Sequence, residues 1–510
     1  MKKRAAIITL NKYESGFYFF IWIGSVHYSI YNVYLAKSYF DGYYDMYNDF
    51  GPGWSWLDRK QDISDVEWNT WIPLMYKIGP WIFVHCFIGQ YIKYSFGANV
   101  LCIWYILISI LFLSYFVGIV GMLCMLIQPC IACLLTAFRS KSLSWIIHLS
   151  SLALIYLTKM SDSPVQYWLK LNEEEYYMFI IGICWIQLRS ISYSIDSIVN
   201  YKHKNLLGFL KELSQNAAYC LYLPTLFLGP VLLYSEFLQG INKKFESWTF
   251  TRLSRLLFNL LRYGFWLYFT EFAMHFIYCN ALQYHPQIVE NLDAWAFYGY
   301  GYCMGQYFLN KYVVVYGICG EISRTDGIDA PATPKCIGRI HLYSDMWKHF
   351  DRGLYNFLIK YIYIPIVTEL TIPCKKLVAS FLCFGFVFLW HGMKMFIFIW
   401  ACLNFIGLAI EDTAKSIGKS LKYIEFERKC LNWKNTRRFH CAIASPLLAM
   451  SAISNFYFFA GEEIGNIFVY RAIHDPWNVK VLVLFILHCC CHVSTDIKIM
   501  EIIGYGKSNI

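Results

Sequence analysis

Stretches of about twenty residues with scarcely a charge recur from residue 17 to residue 495, and few kinds of fold can absorb them. They lie near 17–36, 72–93, 98–118, 119–137, 143–159, 176–195, 218–235, 255–281, 294–318, 354–369, 377–390, 394–410, 440–460 and 479–495. A helix that crosses the hydrocarbon core needs about 20 apolar residues, and several runs fall short of that. The short ones are tolerable as re-entrant pieces only where protein or a water-filled cavity covers the backbone. Pro129, Pro224, Pro230 and Pro365 mark the expected breaks. Of the 510 residues, 57% are hydrophobic and 15% charged, too little charge to wrap several water-facing surfaces. The expected fold is an all-α polytopic membrane protein of roughly 10–12 transmembrane helices, with re-entrant segments around a central tunnel. The chain, 1–510, reads as one membrane-embedded unit, without repeat, low-complexity tract or separable soluble domain.

Lys and Arg number 44 against 34 Asp and Glu, a net charge of +10. The basic residues gather in short gaps between apolar runs, so membrane orientation explains them and nucleic acid is not an expected partner. The gap 411–439 holds Lys415, Lys419, Lys422, Arg428, Lys429, Lys434, Arg437 and Arg438, a cytosolic signature. The gap 41–71 carries Asp41, Asp45, Asp49, Asp58, Asp62, Asp65 and Glu67 with Trp54, Trp56, Trp68 and Trp71, and reads as lumenal. It is either a solvated loop with an aromatic belt or an acidic mouth that attracts a basic peptide. Most of the 19 cysteines lie inside apolar runs and read as packing residues. Cys489, Cys490, Cys491 and His492 are consecutive on an apolar run, so they point in different directions on a helix and lack the shared face a metal needs.

Ionisable residues inside apolar runs are expensive there, which makes them the first place to look for chemistry. His391 lies between the runs 377–390 and 394–410, in Leu389-Trp390-His391-Gly392. With Lys375 and Lys376 before one run and the basic gap after the other, the two form a hairpin with His391 at its turn. Imidazole suits proton transfer near neutral pH; a core histidine bonded to a carbonyl is the other reading. Asp351 lies in Met346-Trp347-Lys348-His349-Phe350-Asp351-Arg352-Gly353, just before a run of interfacial character. It is either an acid partner for the histidine or half of an ordinary pair with Arg352 or Lys348.

The local words carry more than the spacing. Met346-Trp347, Phe350-Asp351, Gly353-Leu354, Asn356-Phe357-Leu358, Tyr361 and Tyr363-Ile364-Pro365, then Trp390-His391-Gly392 forty residues after the Asp, resemble the membrane-bound O-acyltransferase superfamily and its hedgehog-acyltransferase branch. Trp400-Ala401-Cys402-Leu403-Asn404 followed by Glu411, Arg437-Arg438-Phe439-His440, and Ser454-Asn455 extend the resemblance, which is dense from 330 to 470. The resemblance implies His391 as catalytic base and Asp351 as paired acid. It also implies a substrate-binding set of Trp347 (the acyl-CoA gate), Lys348, Asn356, Trp390 and Asn455. Lys348 stands where an arginine is usual, weakening a bidentate contact to CoA phosphate. Cys336, in Pro334-Lys335-Cys336, corresponds under the resemblance to a cysteine that ligates haem b. The implied reaction transfers palmitate from palmitoyl-CoA to the α-amine of the N-terminal cysteine of hedgehog-type secreted proteins, or EGF-like ligands. It would take place among membrane lipids of the endoplasmic reticulum or Golgi, by direct attack without an acyl-enzyme. A related acyltransferase acting on a lipid hydroxyl or a protein serine would use the same histidine. A multi-pass transporter or receptor would show repeated halves, and none are visible.

Overall fold

A computed structural model describes residues 10–41, 48–158, 164–200, 205–372 and 374–508. The apolar runs become helices, and the one sheet among the described residues is the short pairing of Phe50–Gly51 with Gln61–Asp62. Seven helices there have the length and apolarity to cross a membrane: Val66–Ser95, Ala98–Phe116, Gly118–Phe138, Glu173–Val199, Met395–Ile417, Trp433–His474 and Trp477–Ser508. The all-α polytopic expectation is therefore met. Around them lie Lys12–Ala36, Lys141–Thr158, Phe250–Ala273, Ala294–Thr325 and Lys375–His391, also helical. Lys12–Ala36 packs against both Ala294–Thr325 and Trp477–Ser508, so the two ends of the chain meet on one flank of the bundle. Met395–Ile417 packs along Trp433–His474, and Glu173–Val199 is the most enclosed of the seven.

The expected breaks divide. Pro129 stays inside the continuous helix Gly118–Phe138, because its ring can face a neighbour that fills the gap. Pro365 begins the helix Ile364–Glu369, directly after a π-helical turn at Ile359–Tyr363. The long helix Trp433–His474 is broken at Gly461, whose φ of 83° is in the left-handed region.

The run 218–235 is embedded but is not a spanning helix. After Leu206–Cys220 the chain turns through the 3-10 segment Leu223–Thr225 and runs irregularly to Tyr234–Asn242. Every residue from Ala218 to Tyr234 is buried. Buried backbone must find partners inside the protein. Arg189, 1% exposed on Glu173–Val199, supplies them. Its Nη1 donates to the carbonyls of Tyr219 (3.2 Å), Cys220 (3.0 Å) and Tyr222 (3.4 Å), and Nη2 to the carbonyl and the hydroxyl of Thr225. Tyr219 Oη donates to the Leu232 carbonyl at 2.6 Å, and the Tyr234 N–H to Ser192 Oγ at 2.9 Å. The planar guanidinium, with five donors in one fork, is the side chain that can serve so many carbonyls at once.

Replacing Arg189 by Met strips this partner from four buried carbonyls; those of Tyr219 and Tyr222 keep a backbone N–H, while those of Cys220 and Thr225 lose the donor that serves them. The expected loss is about 3 kcal/mol or more, read as a lower unfolding temperature in detergent. Arg189→Lys recovers only part, since an ammonium has no fork.

Candidate active site

The helix Lys375–His391 ends at His391 because Gly392 (φ 109°) and Met393 (φ 52°) both turn left-handed, after which Met395–Ile417 starts back. The hairpin read from the sequence is present, with the histidine at its turn. The imidazole sits among rings: Trp390 at 4.7 Å, Phe458 at 5.1 Å and Trp400 at 6.1 Å between centroids.

Asp351 caps the helix Arg352–Leu358, its Oδ1 accepting the Leu354 N–H at 2.8 Å. Its Oδ2 accepts from Tyr316 Oη at 2.9 Å. Neither Arg352 nor Lys348 is among its partners, so the bland surface pairing is not what the structure contains. Enclosure by protein pushes the Asp351 carboxyl above its ordinary value, while these hydrogen bonds pull it back.

His391 and Asp351 line the same cavity, of about 1660 Å³. That exceeds the roughly 300–1,000 Å³ of a typical small-ligand pocket, leaving room for two substrates at once. Trp347, Trp390 and Asn455 line it too. Trp347 is held by Asn404, whose Oδ1 accepts its indole N–H at 3.3 Å, and stands edge-on to Phe384. Trp390 donates to the Cys184 carbonyl at 3.3 Å, and Asn455 accepts the Trp400 indole N–H at 3.3 Å. Lys348 is exposed and Asn356 half-buried, and neither is among the lining residues. They are placed on the segment that carries Asp351 rather than in the cavity wall.

Cys336 is exposed on the turn before Ile337–Arg339 and does not line the cavity, although Gly338 and Ile340 do. Among the described residues no three His, Cys, Asp or Glu side chains gather to hold a metal. The haem reading of Cys336 has no support among the described residues and is not carried further.

The acids of this loop are mostly committed to partners elsewhere in the fold. Asp49 pairs with His285 at 2.8 Å, and Asp62 accepts the N–H groups of Ser64, Asn280 and Ala281. Asp65 pairs with the buried Lys311 at 2.8 Å; Asp45 lies outside the described residues. Among the described acids of the loop, Glu67, also on Lys311 at 2.7 Å, is the one that lines the cavity. Trp68 and Trp71 are buried, so they belong to the core rather than to an interfacial belt. Cys489, Cys490 and Cys491 are likewise buried packing residues.

Three contributors escaped the sequence reading. Tyr316 holds Asp351, Trp400 holds Asn455 and faces His391, and Phe458 walls the imidazole. Tyr316 sits in an ordinary apolar run and Phe458 in a run of aromatic residues, with no local signal to single either out. Trp400 lies in the quoted Trp-Ala-Cys-Leu-Asn word, where its register opposite His391 was the available signal.

An imidazole and a carboxylate line one apolar-walled cavity inside a bundle of membrane-spanning helices, the setting of a membrane-embedded enzyme. Residues 100–454 match the model of the membrane-bound O-acyltransferase family, and the chain belongs to that family. Protein-cysteine N-palmitoyltransferase Rasp of Drosophila melanogaster is 28% identical, over 94% of this chain and 94% of its own length. Protein-cysteine N-palmitoyltransferase HHAT of Mus musculus is 26% identical, over 85% and 88%. The HHAT-like protein of Mus musculus is 24% identical, over 71% and 70%. The likeness thus reaches well beyond residues 330–470, and the reading as an acyltransferase is borne out.

Gly353 sets how closely the Asp351 segment can approach its support. A Cβ there would lie 2.5 Å from the Val231 carbonyl oxygen, which is backbone and cannot swing away. Gly353→Ala is expected to displace Asp351 and to lower turnover by about 10²-fold. Steady-state kinetics, with gel-filtration elution matching the parent, check it.

Proposed function

We propose that this protein transfers a palmitoyl group from palmitoyl-CoA to the α-amine of the N-terminal cysteine of a hedgehog-type secreted protein. The observation that carries the reading is the shared cavity, with His391 and Asp351 on its wall and space for two substrates. The palmitoyltransferase names of Rasp and HHAT support the donor and the acceptor class.

The acceptor α-amine has a pKa of about 7.7–8.0, so much of it is protonated and unreactive near neutral pH. His391 takes a proton from the amine as its nitrogen attacks the thioester carbonyl. The C–N bond forms, the C–S bond breaks, and the CoA thiolate leaves, to be protonated by the imidazolium. Asp351 accepts a hydrogen bond from the amine and orients it. The thioester is already activated, so no side-chain nucleophile is needed and none is assigned. Trp347, Trp390 and Asn455 shape the wall against which the donor lies, and Lys348 stands outside it for the CoA phosphates. Burying about fifteen methylenes at about 0.8 kcal/mol each gains on the order of 12 kcal/mol, which is why the donor site is apolar. The two substrates approach from opposite faces of the endoplasmic reticulum or Golgi membrane, since neither polar end crosses a bilayer readily.

Purified protein, palmitoyl-CoA and peptides beginning with cysteine test this. His391→Ala is expected to lower turnover by about 10²–10⁴-fold, and an N-acetylated peptide to remain unmodified. Equal turnover by His391→Ala, or palmitate appearing on the acetylated peptide's thiol instead, would overturn the reading. No palmitoyl-protein adduct is expected in a single turnover.

A further inference from the structure

The carboxylate of Asp351 is gripped from two sides. Its Oδ1 is committed to the cap, through the Leu354 N–H, and its Oδ2 receives the Tyr316 phenol at 2.9 Å. A carboxylate oxygen has two lone pairs, so Oδ2 keeps one for a donor arriving through the cavity that both residues line. The phenol that sets this direction is itself immobile. Tyr316 is 4% exposed, and its ring stands edge-on to Tyr312 at 5.1 Å. On the far side is Gly229, with φ at 66°, where a Cβ would come 2.8 Å from Tyr316 Cε1 and from the Trp185 ring. The irregular segment that Arg189 holds therefore approaches Tyr316 as closely as backbone can. It also approaches Gly353, through the Val231 carbonyl.

We propose that Tyr316 is a positioning residue for Asp351, fixing the plane of its carboxylate and favouring its charged form. The proposal rests on the reading of Asp351 as the group that receives the acceptor amine. A phenol donating to a carboxylate stabilises the ionised state and leaves the remaining lone pair of Oδ2 aimed in one direction. Phenylalanine would fill the same space and keep the ring packing, so the hydroxyl alone is at issue. The ionisable groups around Asp351 are Tyr316 and Tyr312 on Ala294–Thr325, Glu67 beyond Tyr312, and His391 on the cavity wall. Tyr177 lies beside Tyr312, and on the segment of Asp351 itself they are Lys348, His349, Arg352 and Tyr355. Tyr316 is the one whose polar atom reaches the carboxylate.

The test is Tyr316→Phe in the purified full chain, with palmitoyl-CoA and a free-amine cysteine peptide, across the acid side of the pH profile. Expected are a fall in kcat of about tenfold and an unchanged KM for palmitoyl-CoA. The acid limb of kcat/KM should move to higher pH by about one unit, because without the phenol the carboxylate protonates sooner. A merely structural tyrosine would lower the amount of folded protein and leave the limb where it was. Wild-type kcat together with a wild-type limb overturns the proposal. Asp351→Asn separates the two kinds of failure. If it is inactive while Tyr316→Phe is unaltered, only the positioning role falls. If it has full activity, the reading of Asp351 falls and the positioning role with it.

Discussion

The guanidinium of Arg189 answers a problem that any membrane-embedded chain must solve when it leaves the helix. Carbonyls released from helical pairing have no water to turn to, and here a single side chain collects those of Tyr219, Cys220, Tyr222 and Thr225. With that turn satisfied, the following residues can stay extended and buried, and they bring Gly229 and Val231 against the cavity's support. Gly229 meets the ring of Tyr316, and Val231 meets Gly353, the second residue after Asp351. The position of the carboxylate thus depends on a charge far along the chain that touches no substrate. A helix through 218–235 would have satisfied its own backbone, but it would present side chains where two close backbone approaches are needed.

Much of the architecture was legible because hydropathy at a period of about twenty residues is a direct image of bilayer thickness. The hairpin at His391 was legible for the same reason, with basic residues flanking both of its arms. His391 stood out as an ionisable group between apolar runs, and the words around it and around Asp351 were specific enough to indicate the family before any geometry was known. What hydropathy could not reveal is how an apolar run is used. The run 218–235 looks like its neighbours in composition, and only the partner of its carbonyls, 30 or more residues earlier, decides that it is irregular.

Charge was the less readable part. The loop 41–71 shows a row of acids in sequence, but whether an acid faces solvent depends on which base or amide the fold sets beside it. Asp49, Asp62 and Asp65 found such partners, leaving Glu67 alone of the described acids in that gap to reach the cavity. Trp68 and Trp71 were drawn inward with them. Cys336 shows the opposite limit: a position matched by local words, yet exposed on a turn in the structure. Tyr316 was invisible because 41 tyrosines compete for attention in this chain, and its distinction is a contact made 35 residues away.

The interruption at Gly461 bears on how so long a helix is accommodated. An unbroken rod of the 42 residues from Trp433 to His474 would measure about 63 Å, roughly twice the hydrocarbon thickness. Directly after the interruption stand Glu462 and Glu463, both exposed. Phe458, the ring against the imidazole, comes three residues before the break. The break thus lets one stretch of chain serve as two helices, the first of which carries the ring that walls the proposed base.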